Sequence, residues 1–420
     1  MTSLNSLESR TVFFYGPGEI GPTGSGSAMR QFTNLRAYLD FGFRVEVIQF
    51  INRSRADVSV PKKPDVDVPW IQVEYIPRPV SLLHRLAFYA GFPRSFIMEI
   101  LFPVRPFVLR ELAQRVRLQP DAIHHFEYVD MASAAVDFPG IYAIWSCHDI
   151  FSQRVPLLWE MRKTATDRLP PRYRRVRVQR LRQAEDWVAQ SQKIILNIAW
   201  HENQEFRQKR GYKQAHFFPM SWPDENFIPR SRARGKENIL RLLHLGSVDG
   251  FLGYDSLRFL LAQVFPLLTP AQLARLELHV VGKMGQGDYV REIQALVEPY
   301  PQVKFMGFAD DIRQAYAEAD VQVIGGERAT GMRTRIIESF VYGLPVISTI
   351  EAARGVAELR DGENIFLAED APAFARALAA LLENPAQLDG VAITARQTYD
   401  SFYSRSVASA KLAGLLEKYI

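Results

Sequence analysis

The sequence predicts an α/β protein built from doubly wound parallel sheets in two halves. Three observations carry this reading. Short apolar runs alternate with helical patterns along all 420 residues. Those runs are continuous rather than alternating polar and apolar, as strands covered on both faces require. A dozen such strands is too many for one open sheet, and the stretch Pro219–Lys236, rich in proline and charge and without a period, offers a break.

The expected strands of the first half are Val12–Tyr15, Val45–Gln49, Val73–Ile76, Ala122–His125, Tyr142–Ser146 and Ile194–Asn197. Those of the second are Leu242–Leu245, Leu278–Val281, Val303–Met306, Val321–Ile324, Pro345–Ser348 and Ile365–Leu367. Helical segments such as Ser27–Asp40, Tyr254–Leu268, Asp288–Val297 and Ala371–Glu383 separate them, the pattern of repeated strand–helix units. The expected organisation is a domain over 1–220, a linker over 221–238, a second domain over 239–398 and a closing helix over 399–420. That helix places Val407, Leu412, Leu415 and Leu416 on an apolar side.

Composition excludes several classes. Hydrophobic residues make up 47% and charged residues 23%, which suits a globular chain with a sizeable core. The net charge of +5 is mild, and no nucleic-acid partner is expected. Cys147 is the single cysteine, so neither an intramolecular disulfide nor a cysteine metal cluster can form. A reducing cytoplasm fits. The polar N-terminal stretch has no apolar core, so no secretion signal is expected, and no apolar run reaches membrane-spanning length. No His/Asp cluster shows metal-ligand spacing.

The most informative stretch is Gly325–Ser348, GGERATGMRTRIIESFVYGLPVIS. A Gly-rich basic loop opens a helix. Its backbone N–H groups, with Arg333 and Arg335, suit a diphosphate. Glu338, two turns into that helix, offers a carboxylate to hydroxyls. Phosphate donors beside a hydroxyl acceptor describe a nucleotide-sugar site. Arg335 and Glu338 also stand three apart, the spacing of a plain helical ion pair. The stretch resembles the donor-binding segment of the retaining GT-B glycosyltransferases of family 4, where a Glu–seven residues–Glu pattern precedes Gly-x-Pro-Val. Glu338 matches the second Glu, and Gly343, Pro345 and Val346 match the tail. The first Glu falls on Thr330. A branch with a Gly-rich loop and basic residues there is closer, its Arg and Lys falling on Arg333 and Arg335.

Other loops extend the resemblance. Five glycines stand between Gly16 and Gly26; Gly24, Ser25, Gly26 and Ser27 resemble the family's small-residue loop, where the acceptor meets the donor phosphates. His148-Asp149 ends a strand, as a His-Asp pair does in the family. Gly246 and Gly253 bracket a loop whose family counterpart supplies Arg and Lys; this chain has neither there. Lys283 ends another strand, and Gly307-Phe308 resembles a motif whose backbone meets the base. Thr330, Gly331 and Met332 complete the expected donor loop.

The resemblance implies a GT-B fold of two Rossmann-like domains facing across a cleft, with the last helix crossing back to the first domain. It implies transfer of a sugar from a nucleotide diphosphate sugar to a hydroxyl, with retention and without a metal or other cofactor, in surface polysaccharide or glycoconjugate synthesis. His148, Arg333, Arg335 and Glu338 would be the catalytic set. An epimerase of the same architecture and a non-catalytic homologue that only binds a partner remain open. The apolar, aromatic stretch Val80–Pro106 and the basic stretch Arg162–Arg182, with nine Arg or Lys and one acid, fit peripheral contact with an anionic membrane and a glycan or lipid-linked glycan acceptor. A buried hairpin beside a solvated basic helix explains the same residues.

Overall fold

The computed structural model describes residues 10–21, 26–54, 66–77, 79, 82–91, 93–161, 171–222, 238–309, 311–328 and 330–420. The chain divides into two compact units, Met1–Ser221 with Arg405–Ile420, and Trp222–Ser404.

The first unit holds a seven-stranded sheet: β1 (Thr11–Pro17), β2 (Arg44–Asn52), β3 (Trp70–Tyr75), β4 (Ile123–Glu127), β5 (Tyr142–Cys147), β6 (Ile194–Asn197) and β7 (Ala215–Phe217). Their order is β3-β2-β1-β4-β5-β6-β7, and every pairing is parallel. The second unit holds β8 (Leu240–Leu245), β9 (Leu276–Val281), β10 (Val303–Gly307), β11 (Val321–Ile324), β12 (Val346–Thr349) and β13 (Phe366–Ala368). Their order is β10-β9-β8-β11-β12-β13, again all parallel. Each sheet therefore reverses direction once, between β1 and β4 and between β8 and β11. In open parallel sheets ligands bind at such a reversal, beyond the carboxyl ends of the strands.

Continuous apolar strands are what this burial demands. On one face of the first sheet, Phe13, Tyr15, Phe126 and Trp145 pack with Met98, Phe102 and Leu112. On the other, Val12, Phe14, Val47 and Ile144 pack with Leu35 and Tyr38 from the helix Gly26–Asp40 and with Leu412 and Leu416. These last two come from the closing helix, Arg405–Tyr419, which packs in the first unit. Arg405 Nε and Ser409 Oγ donate to Asp40 Oδ2 at 2.8 and 2.9 Å.

The structure shifts three expectations. The strand expected at Ala122–His125 runs Ile123–Glu127, which brings Glu127 to its carboxyl end. Ala215–Phe217 adds a thirteenth strand among the described residues, too short for a periodic signal. The closing segment does not start at 399: the helix Gln387–Phe402 ends against Trp222, whose carbonyl accepts from Tyr399 Oη at 2.5 Å, and a new helix begins at Arg405. The expected linker lies largely outside the described residues.

Truncating Leu412 to Ala should cost the first unit about 2–5 kcal/mol, the cavity penalty of a fully packed leucine. A denaturant midpoint unchanged from wild type would show that the closing helix adds no stability.

Candidate functional sites

In the first unit, the chain leaves β1 through Gly16-Pro17-Gly18 and enters the helix Gly26–Asp40. A Cβ at Gly16 would lie 2.2 Å from Gln31 Oε1, so a side chain there would have to displace the Gln31 amide. Gln31 Nε2 donates to the Pro17 carbonyl at 3.1 Å. Gly24 and Ser25 lie outside the described residues. Gly26 and Ser27 open the helix, and Ser27 Oγ accepts from Tyr128 Oη at 2.5 Å.

Tyr128 follows β4 with φ 69°, a conformation non-glycine residues rarely adopt. This turns its ring onto His148, parallel within 18° at a centroid distance of 3.8 Å. His148 is nearly buried, and its Nε2 lies 2.6 Å from Glu127 Oε2. The fully buried Glu127 also takes His125 Nε2 at 3.0 Å and Asn34 Nδ2 at 2.7 Å on Oε1. Burial alone would raise this carboxyl. The hydrogen bonds from His125 and His148 outweigh it and hold Glu127 well below the usual carboxylate range.

His124 and His125 point to opposite faces, as adjacent strand residues must. His124 Nδ1 lies 3.1 Å from Tyr15 Oη, and His125 Nδ1 lies 2.9 Å from Tyr38 Oη. Arg30, one turn into the helix, is completely buried, stacks 5.1 Å from the Phe218 ring, and has no hydrogen-bond partner among the described residues. Burial pushes its guanidinium down to about 10, with Glu127 opposing, so it stays charged at neutral pH.

In the second unit, the loop after β8 is packed backbone against backbone. A Cβ at Gly253 would lie 2.1 Å from the Ser247 carbonyl oxygen, and one at Gly282 would lie 2.0 Å from that of Gly246. Gly246 has φ 150°. Val248 N donates to the Lys283 carbonyl at 2.9 Å, joining the loops after β8 and β9. Gly282 N donates to the Gly307 carbonyl at 2.8 Å. Lys283 Nζ stands 5.1 Å above the Phe308 ring, which is 62% exposed. Lys283, Gly307 and Phe308 are thus brought together at the ends of β9 and β10.

Beyond β11, Gly325 N donates to Ser256 Oγ at 2.9 Å, and the Gly326 carbonyl accepts from Thr349 Oγ1 at 2.7 Å. Ala329 lies outside the described residues; Thr330 is half-buried, and Gly331 and Met332 are buried. Gly331 has φ 60°. The next helix spans Thr334–Val341, so Glu338 stands one turn into it rather than two. Arg333 is buried, its Nη2 donating to the Arg328 carbonyl at 3.1 Å. Burial pushes its guanidinium down to about 10, against the pull of Asp255 and Glu351.

Arg335 pairs with Glu338 Oε2, so the helical ion pair exists. Burial would lower the Arg335 guanidinium, and Glu338 more than offsets it. Glu338 is fully buried, with Oε1 unpartnered among the described residues. An unsatisfied carboxylate oxygen in a protein interior is costly, and a ligand hydroxyl would satisfy it.

Sequence reasoning missed Glu127, Tyr128, Asn34 and Arg30 in the first unit and His244 in the second. His244 lies two residues before Gly246, fully surrounded, with neither ring nitrogen partnered among the described residues. Burial first, then Arg333 and Arg335, push it down to about 3. Its sequence signal was a lone His in the apolar run LRLLHL, immediately before the glycine loop.

Residues 240–384 match the family model described as Glycosyl transferases group 1. The chain has the GT-B fold. A sucrose-phosphate synthase from Thermosynechococcus elongatus superposes with a TM-score of 0.67 at 16% identity, over 97% of this chain and 98% of that one. HepE from Anabaena in complex with UDP-glucose superposes with a TM-score of 0.65 at 14% identity, over 97% and 99%. The lipopolysaccharide outer core galactosyltransferase WaaB superposes at 0.61 and 13% identity, over 98% and 100%. No curated protein sequence matches the chain significantly.

His244 makes stability depend on pH. Its value is lower in the folded chain than the ordinary 6.5, so the contribution is complete above 6.5 and is lost as pH falls toward 3. Between about pH 7.5 and 5, wild type should lose roughly 2 kcal/mol more stability than His244→Gln. Equal losses in urea titrations at the two pH values would contradict a neutral buried His244.

Proposed function

We propose that this chain is a retaining glycosyltransferase of the family 4 type, moving a sugar from a nucleotide diphosphate sugar to a hydroxyl acceptor. One observation carries the reading. The strand reversal of the second unit, inside the segment matching the glycosyl transferase model, gathers Arg333, Arg335 and a carboxylate oxygen of Glu338 without a partner among the described residues. Glu338 Oε1 would take a ribose hydroxyl. Arg333 and the amides of the loop and helix start would neutralise the diphosphate as it leaves. Arg335 would contribute while orienting Glu338. The exposed Lys283–Phe308 pair offers a cation and a flat apolar face to the base. That HepE superposes in complex with UDP-glucose supports this class of donor.

With two arginines and a helix start at the leaving group, the reaction needs no divalent ion for charge neutralisation. No described residue is assigned as a nucleophile. Incubation with a panel of nucleotide sugars, read by mass spectrometry, should give nucleoside diphosphate from one or few donors. Turnover should survive EDTA; full loss restored by magnesium or manganese would contradict metal independence. Arg333→Ala should weaken nucleoside diphosphate binding by about 1.5–3 kcal/mol in calorimetry. Wild-type affinity in the Arg333→Ala, Arg335→Ala double variant would overturn the assignment.

The acceptor we propose is a lipid-linked glycan at an anionic membrane surface, as in surface polysaccharide or glycoconjugate synthesis at the inner face of the cytoplasmic membrane. The helix Pro171–Ser191 exposes Arg172, Arg175 and Arg182 at helical spacing, while Leu181, Ala184 and Val188 face the core. The helix Leu82–Ala90, tied to it by Arg180 donating to the Phe88 carbonyl at 3.3 Å, exposes Leu86. No helix among the described residues is long and apolar enough to cross a membrane. Flotation should show binding to anionic but not neutral vesicles, lost when Arg172, Arg175 and Arg182 become Glu. Absence of binding to both vesicle types would contradict a membrane acceptor.

A further inference from the structure

The first unit contains a buried polar chain that the proposed reaction does not itself require. It runs from Tyr38 Oη to His125 Nδ1 at 2.9 Å, from His125 Nε2 to Glu127 Oε1 at 3.0 Å, and from Glu127 Oε2 to His148 Nε2 at 2.6 Å. Asn34 Nδ2 braces it, donating to Glu127 Oε1 at 2.7 Å and to Ser146 Oγ at 3.0 Å. Tyr38, His125, Glu127, Asn34 and Ser146 are all at most 1% exposed; only His148, at 8%, reaches the surface.

We infer that Glu127 is a positioning residue that fixes His148 as the neutral Nε2–H tautomer, so that His148 presents the Nδ1 lone pair as an acceptor for a substrate hydroxyl rather than a cation for a phosphate. This rests on the proposed function and deepens it. An ionised carboxylate only accepts, so each hydrogen bond reaching Glu127 must bring a proton. Tyr38 stays a phenol, its value raised by burial and then by Glu127, and donates to His125 Nδ1. His125 then carries its proton on Nε2, facing Glu127, and His148 does the same from the other side. His148 Nδ1 has no protein partner among the described residues.

The fully buried Arg30 guanidinium feels the Glu127 charge, which opposes the lowering by burial. On the near side Asp149 is paired with Arg154 at 2.5 Å. The Cys147 thiol, next in the chain, is held protonated by burial. The Tyr128 ring, held by its positive φ and by Ser27, covers one face of the imidazole. The arrangement matches the way metal-binding and catalytic histidines are oriented by a carboxylate behind the ring.

The test is ¹⁵N NMR of histidine-labelled protein, with His148→Gln assigning the signal. At pH 7.5 wild-type His148 should show the Nε2–H tautomer, and Glu127→Gln should lose that signature. Turnover of the nucleotide sugar should fall about tenfold or more in Glu127→Gln, the worth of one well-placed hydrogen bond, while affinity for the sugar-free nucleoside diphosphate stays within about twofold. Glu127→Asp, which keeps the charge, should restore part of the tautomer signal. An Nδ1–H or doubly protonated His148 in wild type, or a spectrum unchanged by Glu127→Gln, overturns the inference. Failure of wild type to bind any nucleoside diphosphate would instead count against the proposed function, leaving the tautomer measurement to stand alone.

Discussion

Everything at these sites depends on strand order. In an all-parallel sheet each crossover must carry a helix over one face, and where the order reverses, neighbouring crossovers go to opposite faces. The carboxyl ends of the two strands at the reversal are then left uncovered. Both units reverse once, at β1/β4 and at β8/β11. The polar residues of both sites lie mainly at or beside those two places. Glu127 ends β4 and Gly16–Gly18 ends β1; His244 and Gly246 end β8, and Gly325-Gly326 ends β11.

The two reversals are chemically unlike. The first is lined by a carboxylate, imidazoles, an amide and hydroxyls, with the buried Arg30 nearby. Such a set exchanges hydrogen bonds with neutral hydroxyl groups. The second holds two arginines and helix-start amides, and burial, reinforced by those arginines, lowers the neighbouring His244. Such a set neutralises anions. On the proposed reading, the first set would suit hydroxyl recognition and the second diphosphate recognition.

The fold was legible because burial on both faces writes continuous apolar runs into the sequence, and most expected strands fall within a residue or two of the observed ones. Ala215–Phe217 was not legible, since three residues cannot show a period. The placement of Arg333 and Glu338 at a loop and helix start could be read because loop, helix and Gly-x-Pro-Val follow one another in the chain. Glu127 could not: it needs Asn34 from a helix, His125 from a strand and His148 from the bend after another, and its run looked finished at His125. Arg335 illustrates a limit of a different kind. Spacing alone allowed both a phosphate ligand and an ion pair with Glu338, and only the packed helix shows that the pair is formed.

The central claim is that the β8/β11 reversal is a nucleoside diphosphate site. A crystal structure of the chain with a nucleoside diphosphate tests it most directly. The diphosphate should lie over residues 330–335 with Arg333 within hydrogen-bond distance, and a ribose hydroxyl on Glu338 Oε1. A diphosphate bound elsewhere, or a Glu338 Oε1 that stays unpartnered in the complex, would contradict it.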